Sequence, residues 1–250
     1  MIQFAHDAVL YFDGPESDGS RFWSTREEVL AQDPSRVTPA TVRALPEDHN
    51  FDGLPDVYTI TIQLPENARE VNYVLGALTF KCELQQKVRL SMQGLLLFDF
   101  TAPNRGAKRV RAHGELVFAQ RHALSSALLL DVPGAPLAAP PRAPWSLEGV
   151  LDAYAARNES LQFRQHRPPL WSYAPSVSGS VRPGFEVDLR VDVLPQSIAF
   201  RPNTADKLTI AWVHYLAFLI LVFYVIDTLR TFVFSRQIVR TREVYDSKTE

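Results

Sequence analysis

Apolar and polar residues alternate with a period of two along several stretches of this chain. Between Phe185 and Val193 the alternation is complete. Phe185, Val187, Leu189, Val191 and Val193 fall on one face, and Glu186, Asp188, Arg190 and Asp192 on the other. Between Val57 and Leu64, Tyr58, Ile60, Ile62 and Leu64 alternate with Thr59, Thr61 and Gln63. Side chains on a strand point alternately to its two sides, so these patterns bury one face of an antiparallel sheet and wet the other. Further strand candidates cover residues 2–12, 73–84, 87–100, 110–121 and 124–132. Short strands separated by turn signals predict a mainly β, antiparallel sandwich-like fold.

The period changes once within this region. From Ser146 to Asn158, the residues Leu147, Val150, Leu151 and Tyr154 recur at helical spacing, and Ser146 is placed to cap the N-terminus. A short helix over 146–157 is predicted. The segment before it, Val132–Pro144, holds five prolines and reads as a stiff crossover that cannot belong to a central strand.

Periodicity disappears near the end. Leu208 to Ile226 is a run of 19 residues without a formal charge when His214 is neutral. At about 1.5 Å per residue such a helix covers roughly 28 Å, close to the hydrocarbon thickness of a bilayer. Trp212 and Tyr215 sit near one end, where amphipathic rings favour the interface. A membrane helix over 208–233 is therefore expected, preceded by an extracytoplasmic β-rich domain over 1–207 and followed by a cytosolic tail over 234–250. The orientation follows from charge: Arg230, Arg236, Arg240 and Arg242 follow the run, whereas Arg201 and Lys207 precede it. Moving the β-rich part across a membrane requires an N-terminal signal or anchor, and the first residues carry neither a basic n-region nor a long apolar stretch. The charge bias leads to the expectation of a further membrane segment ahead of Met1. A tail-anchored cytosolic binding module is the alternative.

Composition narrows the chemistry. Of 250 residues, 46% are hydrophobic and 22% charged, which suits a folded core. The net charge of −2 argues against a nucleic-acid binder. The single cysteine, Cys82, excludes an internal disulfide and a cysteine zinc cluster, and its apolar neighbours predict a core position. The chain has no G-x-S-x-G, no phosphate loop and no H-E-x-x-H, and its six histidines are scattered. No catalytic residues and no small-molecule substrate are expected.

Four features remain as candidate sites. In Pro46–Asp56, Asp48, Asn50, Asp52, the Leu54 carbonyl and Asp56 are spaced like ligands of a calcium loop, with Gly53 at the sharp turn. Thr59 stands where an EF-hand has glutamate, and no helices flank the loop, so the reading is a structural calcium loop or a metal-free Asx turn. Asn158-Glu159-Ser160 is a glycosylation sequon. Arg105, Lys108, Arg109 and Arg111 form a basic cluster that reads as a solvated hairpin or a contact for headgroups or an acidic partner. His214, Asp227 and Arg230 lie near the ends of the apolar run. They read as anchors or contacts to other membrane helices, with Asp227 and Arg230 one turn apart.

Three stretches in order carry a resemblance: Gly14–Thr25 (GPESDGSRFWST), Glu47–Asp56 (EDHNFDGLPD) and Ile210–Val239. Together with Ala153–Ser160 (AYAARNES), they make the chain resemble the transmembrane protein 231 family, components of the Meckel-syndrome complex at the ciliary transition zone. The resemblance implies two membrane spans with a β-rich region between them on the lumenal or extracellular side. It further implies an architectural rather than catalytic role in the barrier that gates membrane proteins entering cilia. Its implied partners are other membrane proteins of that complex, reached through the β region and the membrane helix. An accessory subunit of a ciliary channel or extracellular adhesion assembly is the alternative reading.

Overall fold

The computed structural model describes residues 1–14, 20–65, 71–85, 88–104, 106–125, 129–131, 135–138, 145–173 and 184–236. Its elements are β1 (Ile2–Asp13), β2 (Arg21–Ser24), α1 (Glu27–Leu30), a 3-10 turn (Pro34–Arg36), β3 (Thr41–Glu47), β4 (Val57–Leu64), β5 (Tyr73–Gln85) and β6 (Arg89–Thr101). Then come β7 (Arg109–Gln120), β8 (Leu124–Ser125), β9 (Leu129–Asp131), α2 (Leu147–Ala155), β10 (Glu159–Gln165), β11 (Leu170–Ser172), β12 (Phe185–Asp192), β13 (Phe200–Arg201) and α3 (Thr204–Ser235). The chain divides into two compact units, Met1–Arg201 and Pro202–Glu250.

In the first unit, sheet A has the order β2-β1-β5-β6-β9 and sheet B the order β10-β7-β12-β4-β3, with β11 also on β7. The alternation in the sequence sets the faces. Leu78, Phe80 and Leu96 of sheet A share one core cluster with Ile60, Ile62, Val110 and Leu189 of sheet B. Tyr58 meets Phe80 edge-on at 5.5 Å between ring centres, and its hydroxyl donates to the Ile2 carbonyl at 2.9 Å, so this contact ties the two sheets face to face. Cys82 lies in the same core, as its neighbours predict.

Pairing is antiparallel in most places, but β12 runs parallel to β7 and antiparallel to β4. The pairs β6–β9 and β8–β13 are parallel too. A parallel pair needs a long crossover. Between β7 and β12 that crossover contains α2, β10 and β11.

The outer face of sheet A is covered. Val9, Ala77 and Leu95 point away from the sandwich core into a second cluster with Phe22, Val29, Leu137, Trp145, Val150 and Tyr154. The Ser146 hydroxyl accepts the Gly149 amide and caps α2, as the sequence predicts, and Val150 and Tyr154 are its buried residues. Of the proline-rich segment, 132–134 and 139–144 lie outside the described residues. Within 135–138, the Leu137 carbonyl accepts the Trp145 indole N–H at 2.9 Å.

Two irregularities shape the edges. The register of β1 against β5 shifts between Phe4 and Ala8, and His6 there takes a φ of 58°. Asp7, pushed out by this bulge, receives Arg26 through Nε at 3.1 Å and Nη2 at 2.6 Å, and Thr25 Oγ1 at 2.8 Å. At the far edge of sheet B, Pro46 sits inside β3 opposite Tyr58. Proline cannot donate to a ladder, so it is confined to such edges.

In the second unit, α3 starts four residues before the apolar run. Asn203 and Asp206 form a capping box, each side chain accepting the other's backbone N–H. It runs for 32 residues, its most apolar 18-residue window has a mean hydropathy of 2.2, and none of its residues is buried. Arg240 and Arg242, on which the orientation partly rests, lie outside the described residues.

Candidate functional site

The loop between β3 and β4 is held by its own side chains. Asp48 accepts the Phe51 amide at 2.8 Å and the Gly53 amide at 2.9 Å with its two oxygens. Asn50 Oδ1 accepts the Asp52 amide, and Asp52 Oδ1 accepts the Leu54 amide. Asp56 Oδ2 accepts from His49 and Asn50, while Asn50 Nδ2 donates to Asp52 and Asp56. Gly53 takes a φ of 81° and Phe51 one of 59°, and the Phe51 ring is 90% exposed. The loop thus brings the four acidic and amide ligand candidates together, with their oxygens turned toward amide N–H groups in a chain of Asx turns.

The sequon sits where α2 gives way to β10. Asn158 is half-buried, its Nδ2 faces the Glu159 carboxylate, and its Oδ1 is buried without a hydrogen-bond partner. It lines a cleft of about 640 Å³ together with Arg121, Arg157 and Gln162. Tyr154, at the floor of that cleft, accepts the Leu95 and Leu161 amides and donates to the Leu161 carbonyl. Burial raises the Tyr154 phenol above its ordinary pKa, against the opposing pull of its amide donors and the nearby Arg157 charge.

Of the basic cluster, Arg105 lies outside the described residues. Arg109 and Arg111 do not form a free patch. They project from β7 on the outer face of sheet B toward Asp188 of β12, and Arg109 also lies 3.4 Å from Glu186. Thr61 of β4 donates to Asp188 and Gln63 to Glu186, extending the polar layer across three strands.

Further along the same face, the β10–β7–β12 order brings together residues that the sequence reading leaves scattered. His113 Nε2 lies 2.9 Å from Asp192 Oδ2, and His166 Nε2 lies 3.5 Å from the same oxygen. The two imidazoles meet edge to face at 4.9 Å between centres. The strand alternation puts Asp192 and His113 on outward faces, but only the order of the strands puts them side by side.

On α3, His214 Nδ1 lies 2.8 Å from the Ile210 carbonyl, one turn back. Thr209 and Thr228 bond back in the same way. In hydrocarbon, where no water is available, such local bonds satisfy polar side chains. Asp227 and Arg230 are exposed, and no ion pair joins them among the described residues. An exposed pair one turn apart gains little over its lost rotamer freedom.

A β-sandwich unit, followed in the chain by one long apolar helix that is a candidate membrane span, defines the class: a mainly β membrane protein. The chain belongs to the transmembrane protein 231 family, whose sequence profile matches residues 1–243. It is 26% identical over 247 residues to human transmembrane protein 231, covering 96% of this chain and 76% of that one. The Xenopus tropicalis protein of the same name is 24% identical over 246 residues (96% and 76%), and that of Gallus gallus 26% over 239 residues (92% and 72%). No solved structure matches.

Proposed function

We propose that this protein is a non-catalytic, membrane-anchored subunit of a membrane-protein complex at the ciliary transition zone. In this reading the β unit lies on the extracytoplasmic side, the tail after α3 is cytosolic, and Asn158 carries a glycan. The observation that carries the reading is the extent of the family match, which runs through the β unit and the apolar helix in one order. The fold is compatible with a scaffold. Two titratable groups of the sandwich core, Cys82 and Tyr58, are packed among apolar residues, where burial raises both pKa values and suppresses their reactivity. In lipid, α3 would meet other helices through packing and polar contacts, His214, Asp227 and Arg230 among its polar groups.

The test is purification of the tagged full chain from ciliated cells in mild detergent after cross-linking. Transition-zone membrane proteins should co-purify. Recovery with a channel or an external filament instead would transfer the protein to that kind of assembly, and recovery alone would sink the complex reading. Sidedness is tested by an endoglycosidase mass shift that disappears in Asn158→Gln.

A further inference from the structure

We propose that His113, His166 and Asp192 bind a divalent transition-metal ion, with zinc as the ion their chemistry suits best. The ligand atoms of the three all lie within 4.8 Å of one another. A tetrahedral zinc with bonds of about 2.0–2.1 Å holds its donors roughly 3.3 Å apart. The observed separations from Asp192 Oδ2, 2.9 Å to His113 and 3.5 Å to His166, straddle that value. The two imidazole donors lie within 4.8 Å of each other, so side-chain rotation that brings them together completes the site.

The backbone beneath these side chains is already fixed. His113 stands on β7 opposite Arg190 of β12, and Asp192 lies two residues further on, opposite Glu115. The His166 amide donates to the His113 carbonyl at 3.0 Å, continuing the β10–β7 ladder. Ligands held by ladder hydrogen bonds lose little backbone freedom on binding.

The donor set selects the ion. Two imidazole nitrogens and one carboxylate suit zinc and its neighbours, whereas calcium and magnesium prefer all-oxygen shells. The fourth position falls to water, because both imidazoles are partly exposed, at 34% and 39%. The surrounding charges divide the carboxylate. Arg190 Nε lies 3.7 Å from Asp192 Oδ1, the oxygen turned away from the imidazoles, and Arg164 is held by Glu115 at 3.0 Å. Bound metal would clasp β7 and β12 to the turn after β10.

The experiment uses the full chain in detergent micelles, freed of metal with a chelator, and titrated with Zn²⁺ alone by calorimetry. One equivalent is expected to bind. His113→Ala and His166→Ala should each weaken binding by about tenfold or more. Asp48→Asn/Asp52→Asn should leave it unchanged, which separates this site from the acidic loop. Arg190→Gln should retain or tighten it by removing a competing cation. Cobalt(II) substitution should give the strong visible absorption of four-coordinate nitrogen and oxygen ligation. Unfolding of the metal-free chain reports whether each variant still folds; outward-facing His113 and His166 should leave it intact. Absence of one-equivalent binding, or zinc affinity unchanged in the folded His113→Ala/His166→Ala chain, would overturn the assignment.

Discussion

The Tyr154 hydroxyl accepts the Leu161 amide at 2.7 Å and donates to the Leu161 carbonyl at 3.2 Å, closing both backbone groups of one residue with one side chain. It also accepts the Leu95 amide at 2.9 Å. Leu95 lies on β6 of sheet A and Leu161 on β10 of sheet B. A single helix residue therefore supplies the hydrogen bonds that these two strands do not make with each other.

Tyr154→Phe keeps the ring and removes these bonds, leaving two buried amides and a carbonyl unsatisfied. The expected loss is about 3 kcal/mol. It should appear as a lower denaturant midpoint with an unchanged slope. A loss well under about 1 kcal/mol would mean that water replaces the hydroxyl.

Gly94 and Leu161 should be energetically coupled. A Cβ on Gly94 would stand 2.5 Å from Leu161 Cγ, too close for either to remain in place. Gly94→Ala alone should cost about 1–3 kcal/mol through overpacking. Leu161→Ala alone should cost about 2–4 kcal/mol through the cavity it leaves. In the double variant the new methyl occupies part of that cavity, so the combined loss should fall at least about 1 kcal/mol short of the sum. Simple additivity in unfolding measurements would show that the strands separate to absorb the methyl.

Alkaline pH should weaken the β unit in two stages. Burial raises the Cys82 thiol and the Tyr11 and Tyr58 phenols, with a backbone hydrogen bond opposing the rise at Tyr58. Each group holds its proton more tightly folded than unfolded. Its contribution is complete below the unfolded pKa, about 8.5–9 for the thiol and about 10 for phenols, and is lost as pH rises through the folded value. Stability measured from about pH 7 to 11 should bend downward first for the thiol and then for the phenols. Cys82→Ala should abolish the first bend and keep the second. A profile with the first bend intact in Cys82→Ala would assign it to another group.

The acidic loop should be rigid without metal. Asp48→Ala uncovers the Phe51 and Gly53 amides and should cost about 1–2 kcal/mol, lessened by their exposure to water. Gly53→Ala meets no atom within 4 Å but must hold a φ of 81°, so its cost, about 1 kcal/mol, is conformational. We propose that calcium binds here weakly, in the range of about 10⁻⁴–10⁻³ M typical of extracellular modules, because the ion must take oxygens from bonded amides. Calorimetry should show this binding lost in Asp48→Asn/Asp52→Asn. No heat at millimolar calcium would leave the loop a turn only.

Much of sheet B was legible because its strands bury one face. The alternations at 57–64 and 185–193 correspond to β4 and β12, and Ser146 caps the helix whose spacing announced it. The short strands β2, β3, β10 and β11 were not anticipated. Thr41–Glu47 contains a proline, its large apolar residue Leu45 stays exposed, and its inward side holds only Val42 and Ala44, partly buried, so its stripe is weak. Parallel pairing of β7 with β12 was also hidden, since periodicity reports which face is buried and not which strand lies alongside. That gap explains the metal-ligand cluster: His113, His166 and Asp192 become neighbours through strand order alone. The acidic loop, by contrast, is a local arrangement, and its spacing already contained it.

Pro46 has a consequence for crowding. A membrane confines its proteins to two dimensions and raises the frequency with which copies collide side by side. An exposed strand edge under those conditions is a template for runaway assembly. On β3, the missing N–H interrupts the row of donors, and Arg43 and Glu47 bring charge to the same strand. A second chain sliding alongside meets a ladder with a rung removed. With Arg43 and Glu47 beside it, Pro46 thus disfavours pairing of this edge with a second sheet.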